Sequence, residues 1–239
     1  MGERIELSES VSYELDGEVA VVRLDDGKVN TIPPATVEAL VAALDRAEGE
    51  ANAVLFVGRE GKLSAGFDLE VMTSGVEAMR SLVGSGARLL MRIYGSPLPV
   101  VVACTGHALA MGALLLLASD SRLGSSGPAK IGLNEVGIGM GLPTFAVELA
   151  RDRLDPRWFT ASVVQGRVFD PEGAVAAGYL GRLSAPGDVV ADALEEARAL
   201  AGLRRGAVRE TKTRARGEMI DRVLASLDED MANTSAPRP

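Results

Sequence analysis

Residues 98–118 are almost wholly apolar, a run long enough to cross a bilayer. How the chain buries this run decides its fold class. Pro99, Thr105, Gly106, His107 and Gly112 interrupt it, and its flanks lack the Lys/Arg clusters and interfacial aromatics of a membrane span. A buried strand, a Gly-containing turn and a buried helix explain it better. Residues 53–58 (AVLFVG) form a second continuous apolar run. Strands that are apolar on every residue belong to a sheet covered on both faces, which predicts a layered α/β fold. Composition agrees: hydrophobic residues make up 47% but aromatics only 4%, so the core is built from small and branched side chains.

The rest of the chain reads as strand–turn–helix units without an exact sequence repeat. Strands are expected at 11–15 and 19–24 around Asp16-Gly17, and a helix from Pro33-Pro34 to about 48 on the apolar period Val37, Leu40, Val41, Leu44. A long helix follows at 76–94, then a strand at 99–104, a turn at 106–112 and a helix at 113–118. Short strands are expected at 121–123, 130–132 and 178–183, with helices at 145–151, 157–165 and 171–177. Amphipathic helices at 186–203 and 208–231 complete the pattern.

Net charge is −8, and no basic cluster is interleaved with aromatics, so nucleic acid is not an expected partner. Cys104 is the single cysteine and His107 the single histidine. That excludes an internal disulfide and a structural zinc site and points to a reducing compartment. The polar start Met1-Gly2-Glu3-Arg4 leads into no apolar signal segment, so the expected location is cytoplasmic.

Three segments carry possible chemistry. Lys62-Leu63-Ser64-Ala65-Gly66-Phe67-Asp68-Leu69 lies between a buried strand and a helix, where free helix-start amides can meet negative charge and Asp68 can cap the helix. Gly106-His107-Ala108-Leu109-Ala110-Met111-Gly112 is a second such junction. Two amide sources facing each other would make an oxyanion hole for a thioester carbonyl. The plain alternative for each is an ordinary packing turn. In Ile131-Gly132-Leu133-Asn134-Glu135-Val136-Gly137, Glu135 is surrounded by apolar residues, which raises a carboxyl pKa and suits proton transfer near neutral pH. Its plain alternative is a surface carboxylate in a loop.

In this order and spacing, the SAGFDL, GHALAMG and IGLNEVGIG segments resemble the crotonase (enoyl-CoA hydratase/isomerase) superfamily. Asp120, Arg122, the stretch from Gln165 to Ala174 and Ala177-Gly178-Tyr179-Leu180 extend the likeness over residues 10–216. The resemblance implies a spiral of ββα units over 1–184 and a C-terminal helical region over 185–232 that serves trimer or hexamer (dimer-of-trimers) assembly; the polar, Pro-rich end over 233–239 reads as a flexible tail. It assigns oxyanion-hole amides to Phe67 and Met111, the latter where the family usually has Gly, and the catalytic carboxylate to Glu135. It places Ser64, Ala65, Gly66, Asp68, Leu69, Gly112 and Leu114 around an acyl-CoA substrate. Lys212 resembles a lysine that reaches the CoA phosphates; otherwise it is a solvated helix charge. No cofactor is implied beyond the coenzyme A carried by the substrate, and no metal.

Leu114 is the informative departure. Typical hydratases carry a second glutamate there, because two carboxylates hold the attacking water. A single carboxylate at Glu135 resembles the Δ3,Δ2-enoyl-CoA isomerases, several of which have a similar GLNE segment. A hydratase recruiting Asp68 or Glu70, and a non-catalytic acyl-CoA binder, stand as alternatives. A Ser64–His107 hydrolase is disfavoured, because Ser64 is not in a nucleophile elbow.

Overall fold

The uninterrupted apolar strands sit in a sheet whose two faces are covered by different layers of helix. A computed structural model describes residues 2–233. The chain opens with antiparallel strands β1 (Ile5–Glu6), β2 (Val11–Asp16) and β3 (Val19–Leu24), then passes through β4 (Thr31–Ile32) into α1 (Pro34–Glu50). Next come β5 (Ala53–Val57), β6 (Gly61–Ser64), β7 (Gly66–Phe67), α2 (Leu69–Ser74) and α3 (Val76–Tyr94). The following unit is β8 (Val100–Cys104), β9 (Gly106–Leu109) and α4 (Met111–Ala118). After it run β10 (Ser121–Ser125), β11 (Ile131–Gly132), a 3-10 turn at Val136–Ile138, α5 (Thr144–Arg153), α6 (Pro156–Val163) and α7 (Pro171–Ala177). The described chain closes with β12 (Arg182–Ser184), α8 (Val189–Ala201) and α9 (Arg205–Asn233). Asn233 thus ends a helix, and the rest of the expected tail, 234–239, lies outside the described residues.

Strands β1-β2-β3-β5-β8-β10-β12 form the large sheet, parallel from β3 onward, and β11-β9-β6 form a small parallel sheet. Each turn of chain from β5 on gives one strand to the large sheet, the next to the small sheet, and then a helix. This is the expected spiral of ββα units. The small sheet corrects the expectation of plain turns at 62–69 and 106–112: most of those residues are strand, and the reversal before α4 narrows to Ala110.

Strand alternation explains the apolar runs. Val54, Phe56, Val100 and Val102 enter the main core with α1, α3, α4 and α5, while Leu55, Val57, Val101 and Ala103 point the other way. There they meet Val189, Ala193, Ala197 and Ala201, the i, i+4 stripe of α8. The C-terminal helical region therefore divides. α8 is a layer of the sheet sandwich, its apolar stripe covered within the chain, and α9 lies against α3 and α5.

α9 is tied down by charge. Lys212, only 8% exposed, donates to Leu98 O (2.8 Å) and to Asp120 Oδ2 (2.5 Å). Arg216 donates to the other Asp120 oxygen (2.7 Å) and to Tyr94 O (2.8 Å), and Asp120 Oδ2 also accepts the Val100 N–H (2.7 Å). This corrects the assignment of Lys212 to CoA phosphates: its ammonium is spent inside the fold. Burial pushes its pKa down and Asp120 opposes the shift. Removing one member of such a cluster leaves buried charge unpaired. Asp120→Ala is expected to cost about 3–5 kcal/mol in urea unfolding. Arg4→Ala, which breaks an exposed pair with Glu6, is expected to change stability by less than about 0.5 kcal/mol.

Candidate active site

The first amide segment is fixed by Asn30 and Ser64. Asn30 adopts φ +56°, and its side-chain amide donates to Leu24 O (2.8 Å) and Leu63 O (3.1 Å). Ser64, fully buried, donates its hydroxyl to Asn30 O (2.6 Å) and accepts the Gly66 N–H (3.1 Å). Ser64 is therefore corrected from a substrate contact to a residue that shapes the turn, and its hydroxyl is not free to act with His107. His107 Nδ1 in turn accepts the Lys130 N–H (2.9 Å). Sequence reasoning missed Asn30; its signal was an Asn closing the strand-breaking run Asp25-Asp26-Gly27-Lys28.

Beyond Ser64, Ala65 is exposed and donates its N–H to Val29 O (3.0 Å). Asp68 caps α2, its Oδ1 accepting the Val71 N–H (3.1 Å), and Leu69 is 63% exposed. The Asp68 N–H donates to Ile32 O (3.3 Å) across the β4–β7 pair. Alternation then turns the Phe67 N–H away from that partner.

The second segment lies against the first. Gly66 has φ +105°, and a Cβ on it would stand 2.9 Å from Ala110 Cβ and 3.6 Å from the Met111 nitrogen. Both facts demand glycine. Likewise a Cβ on Gly112 would sit 2.6 Å from Ser64 O, so α4 can start this close to β6 only with glycine there. Ala110, itself at φ +48°, precedes α4 without a side-chain cap. The first intrahelical bond is Leu114 N–H to Ala110 O (3.0 Å). The N–H groups of Met111, Gly112 and Ala113 are left without intrahelical acceptors, at the positive end of a buried helix.

Strand pairing brings the segment that leads to Glu135 beside the start of α4. β11 pairs with β9, and the Ala110 N–H donates to Gly132 O (3.1 Å), which carries Leu133-Asn134-Glu135 past the start of α4. Glu135 is 9% exposed, and its Oε2 is buried without a hydrogen-bond partner. Burial pushes the carboxyl up to about 7, offset in part by its own backbone N–H. Tyr179, missed as a site residue, packs its ring against Phe169 (centroids 5.9 Å). Its buried hydroxyl lies beside Ser162 and the Leu133 backbone, and burial, helped by the Glu135 carboxylate, holds its pKa above the usual tyrosine range. Leu114, one turn into α4, is buried and apolar.

The site thus joins a row of buried helix-start amides, a strand amide turned away from its sheet partner, and one buried carboxyl that titrates near neutrality. Residues 14–237 match the family model for enoyl-CoA hydratase/isomerase. The chain belongs to that family. A solved enoyl-CoA hydratase/isomerase family protein from Pseudomonas syringae is 43% identical, covering 96% of this chain and 100% of its own, with a TM-score of 0.93. An enoyl-CoA hydratase from Mycobacterium marinum is 37% identical over 95% and 100% of the two chains (TM-score 0.89). Human mitochondrial Δ3-Δ2-enoyl-CoA isomerase is 26% identical over 94% and 90% (TM-score 0.89). The expected crotonase fold therefore stands. Among the described residues no helix is long and apolar enough to cross a membrane: residues 98–118 are β8, β9 and α4.

The raised Glu135 pKa has a consequence for stability. A carboxyl whose pKa is higher folded than unfolded binds more protons in the native state between the two values, so it lowers stability as pH rises through that window. Glu135→Gln is expected to raise stability relative to wild type at pH 8 but not at pH 4, by on the order of 2 kcal/mol, read from urea midpoints at both pH values.

Proposed function

We propose that this family member isomerises 3-enoyl-CoA thioesters to 2-enoyl-CoA with Glu135 as the lone proton carrier. One observation carries the reading: the Glu135 carboxyl is buried with its Oε2 unpartnered, while position 114, one turn into α4, holds a buried leucine and not a second carboxylate. Asp68 is occupied in capping α2, and Glu70 lies exposed in its first turn.

The thioester oxygen sits between the Phe67 and Met111 N–H groups. Glu135 takes a C2 proton; the C–H electrons move toward the carbonyl, giving a dienolate whose charge falls on the oxygen held by the amides. Glu135 then returns the proton to C4, the double bond comes to rest between C2 and C3, and the carboxylate is regenerated. A preorganised oxyanion donor contributes about 3–4 kcal/mol of barrier lowering, and a positioned base about 10²–10⁴-fold. The reading calls for no group beyond the coenzyme A of the substrate and takes a homotrimer or hexamer as the working assembly. Hydration of 2-enoyl-CoA is the second reading, favoured by the hydratase from M. marinum at 37% identity; it requires another group to hold water in place of Leu114.

Paired turnover assays with 3-enoyl-CoA and 2-enoyl-CoA test this. Conjugated thioester is expected from the 3-enoyl substrate, with kcat falling at least about 10²-fold in Glu135→Gln. Because the carboxylate is the active form, kcat/KM is expected to rise with pH to a plateau above about 7. Hydration of the 2-enoyl substrate without isomerisation of the 3-enoyl one would favour the second reading.

A further inference from the structure

Phe67 and Met111 bring side chains as well as amides to the site, and both side chains end on one residue of α3. A Cβ built on Gly86 would lie 2.4 Å from Cζ and 2.6 Å from Cε1 of the Phe67 ring, and 3.7 Å from Met111 Cε. The ring reaches α3 only because Gly86 carries no side chain. Met111 is 3% exposed, and Leu82, Val83 and Leu90 of α3 are buried with it. A phenyl ring and a thioether therefore occupy the space between α3 and the start of α4. Interiors are packed to crystal density, so a methylene chain cannot share that space without displacing them.

The direction of an acyl tail follows from the two ends of the site. With the carbonyl on the Phe67 and Met111 amides, an acyl tail directed toward α3 meets these two side chains, which already fill that route. A tail directed over the turn after Glu135 meets Val136 and Ile138, 40% and 49% exposed, and stays in water.

We infer that Phe67 and Met111, seated on Gly86, are specificity-determining side chains that deny the acyl tail a buried route toward α3, so the site gains nothing from methylenes beyond a butyryl-sized chain. The inference rests on the acyl-thioester reading above and adds its substrate class. It departs from a site with glycine at position 111, where the stop would be half absent.

Calorimetric titration of the full chain with unreactive saturated thioesters, butyryl-CoA and octanoyl-CoA, tests it without relying on turnover. Burying the additional methylenes of octanoyl would tighten binding roughly a hundredfold or more. Wild type is expected to bind the two within about threefold, the extra methylenes staying in water. Met111→Ala and Phe67→Ala, which keep both backbone amides, are each expected to shift the ratio toward octanoyl by about tenfold; either variant suffices if the other does not fold. Octanoyl binding a hundredfold tighter than butyryl in wild type overturns the inference alone, as does a ratio that neither folded variant moves. Failure of every thioester to bind overturns the acyl-thioester reading, and the inference with it.

Discussion

Gly66 meets Ala110 and Met111 across a gap that admits no side chain, and the proposed chemistry depends on that contact. It brings together two chain reversals from successive turns of the spiral, the approach that the proposed pair of oxyanion amides requires. The contact is held from behind by Ser64, which ties Gly66 to Asn30 and packs on Gly112. It is held from the side by the small sheet, where β6, β9 and β11 run parallel, with a bulge in β6 between Lys62 and Ser64. Any shift of one strand by a residue would separate the amides and move Glu135 out of place.

The site is costly to the fold, and the fold compensates elsewhere. The Glu135 carboxyl is buried with one oxygen unpartnered, Ala110 takes a backbone conformation that side chains resist, and the first turn of α4 has no side-chain cap. Such features persist where the surroundings over-determine them. Here α4 is apolar on all sides and wholly buried, and Arg153 closes its far end by donating to Leu117 O and Ser119 O. Asp120 then clamps α9 and the start of β8 just beyond. The lysine that the family resemblance sends to a phosphate works in that clamp.

The layered fold was legible because its cause is local: every residue of 53–57 and 100–104 is apolar, and a strand buried on both faces needs that. The helix over 76–94 was legible to its ends through its period. The small sheet was legible only at β11, expected as a strand over 130–132; β6 and β9, four residues each, read as turns because they exist only through their pairing. Phe67, Met111 and Glu135 were visible as motif positions, but the roles of Ser64 and Lys212 were not. Their partners, Asn30 and Asp120, are 34 and 92 residues away, and no sequence pattern couples them. Tyr179 was read only as part of a later motif, since its place beside the Leu133 backbone arises from the docking of α7 beside β11.

A label-transfer experiment asks most directly whether one sealed carboxylate moves the proton: 3-enoyl-CoA deuterated at C2 is converted in ordinary water, and the product is read by NMR. A single buried Glu135 that takes and returns the same hydrogen predicts deuterium at C4 of the 2-enoyl product. Product formed with only solvent hydrogen at C4, at a rate that Glu135→Gln leaves unchanged, would contradict the account.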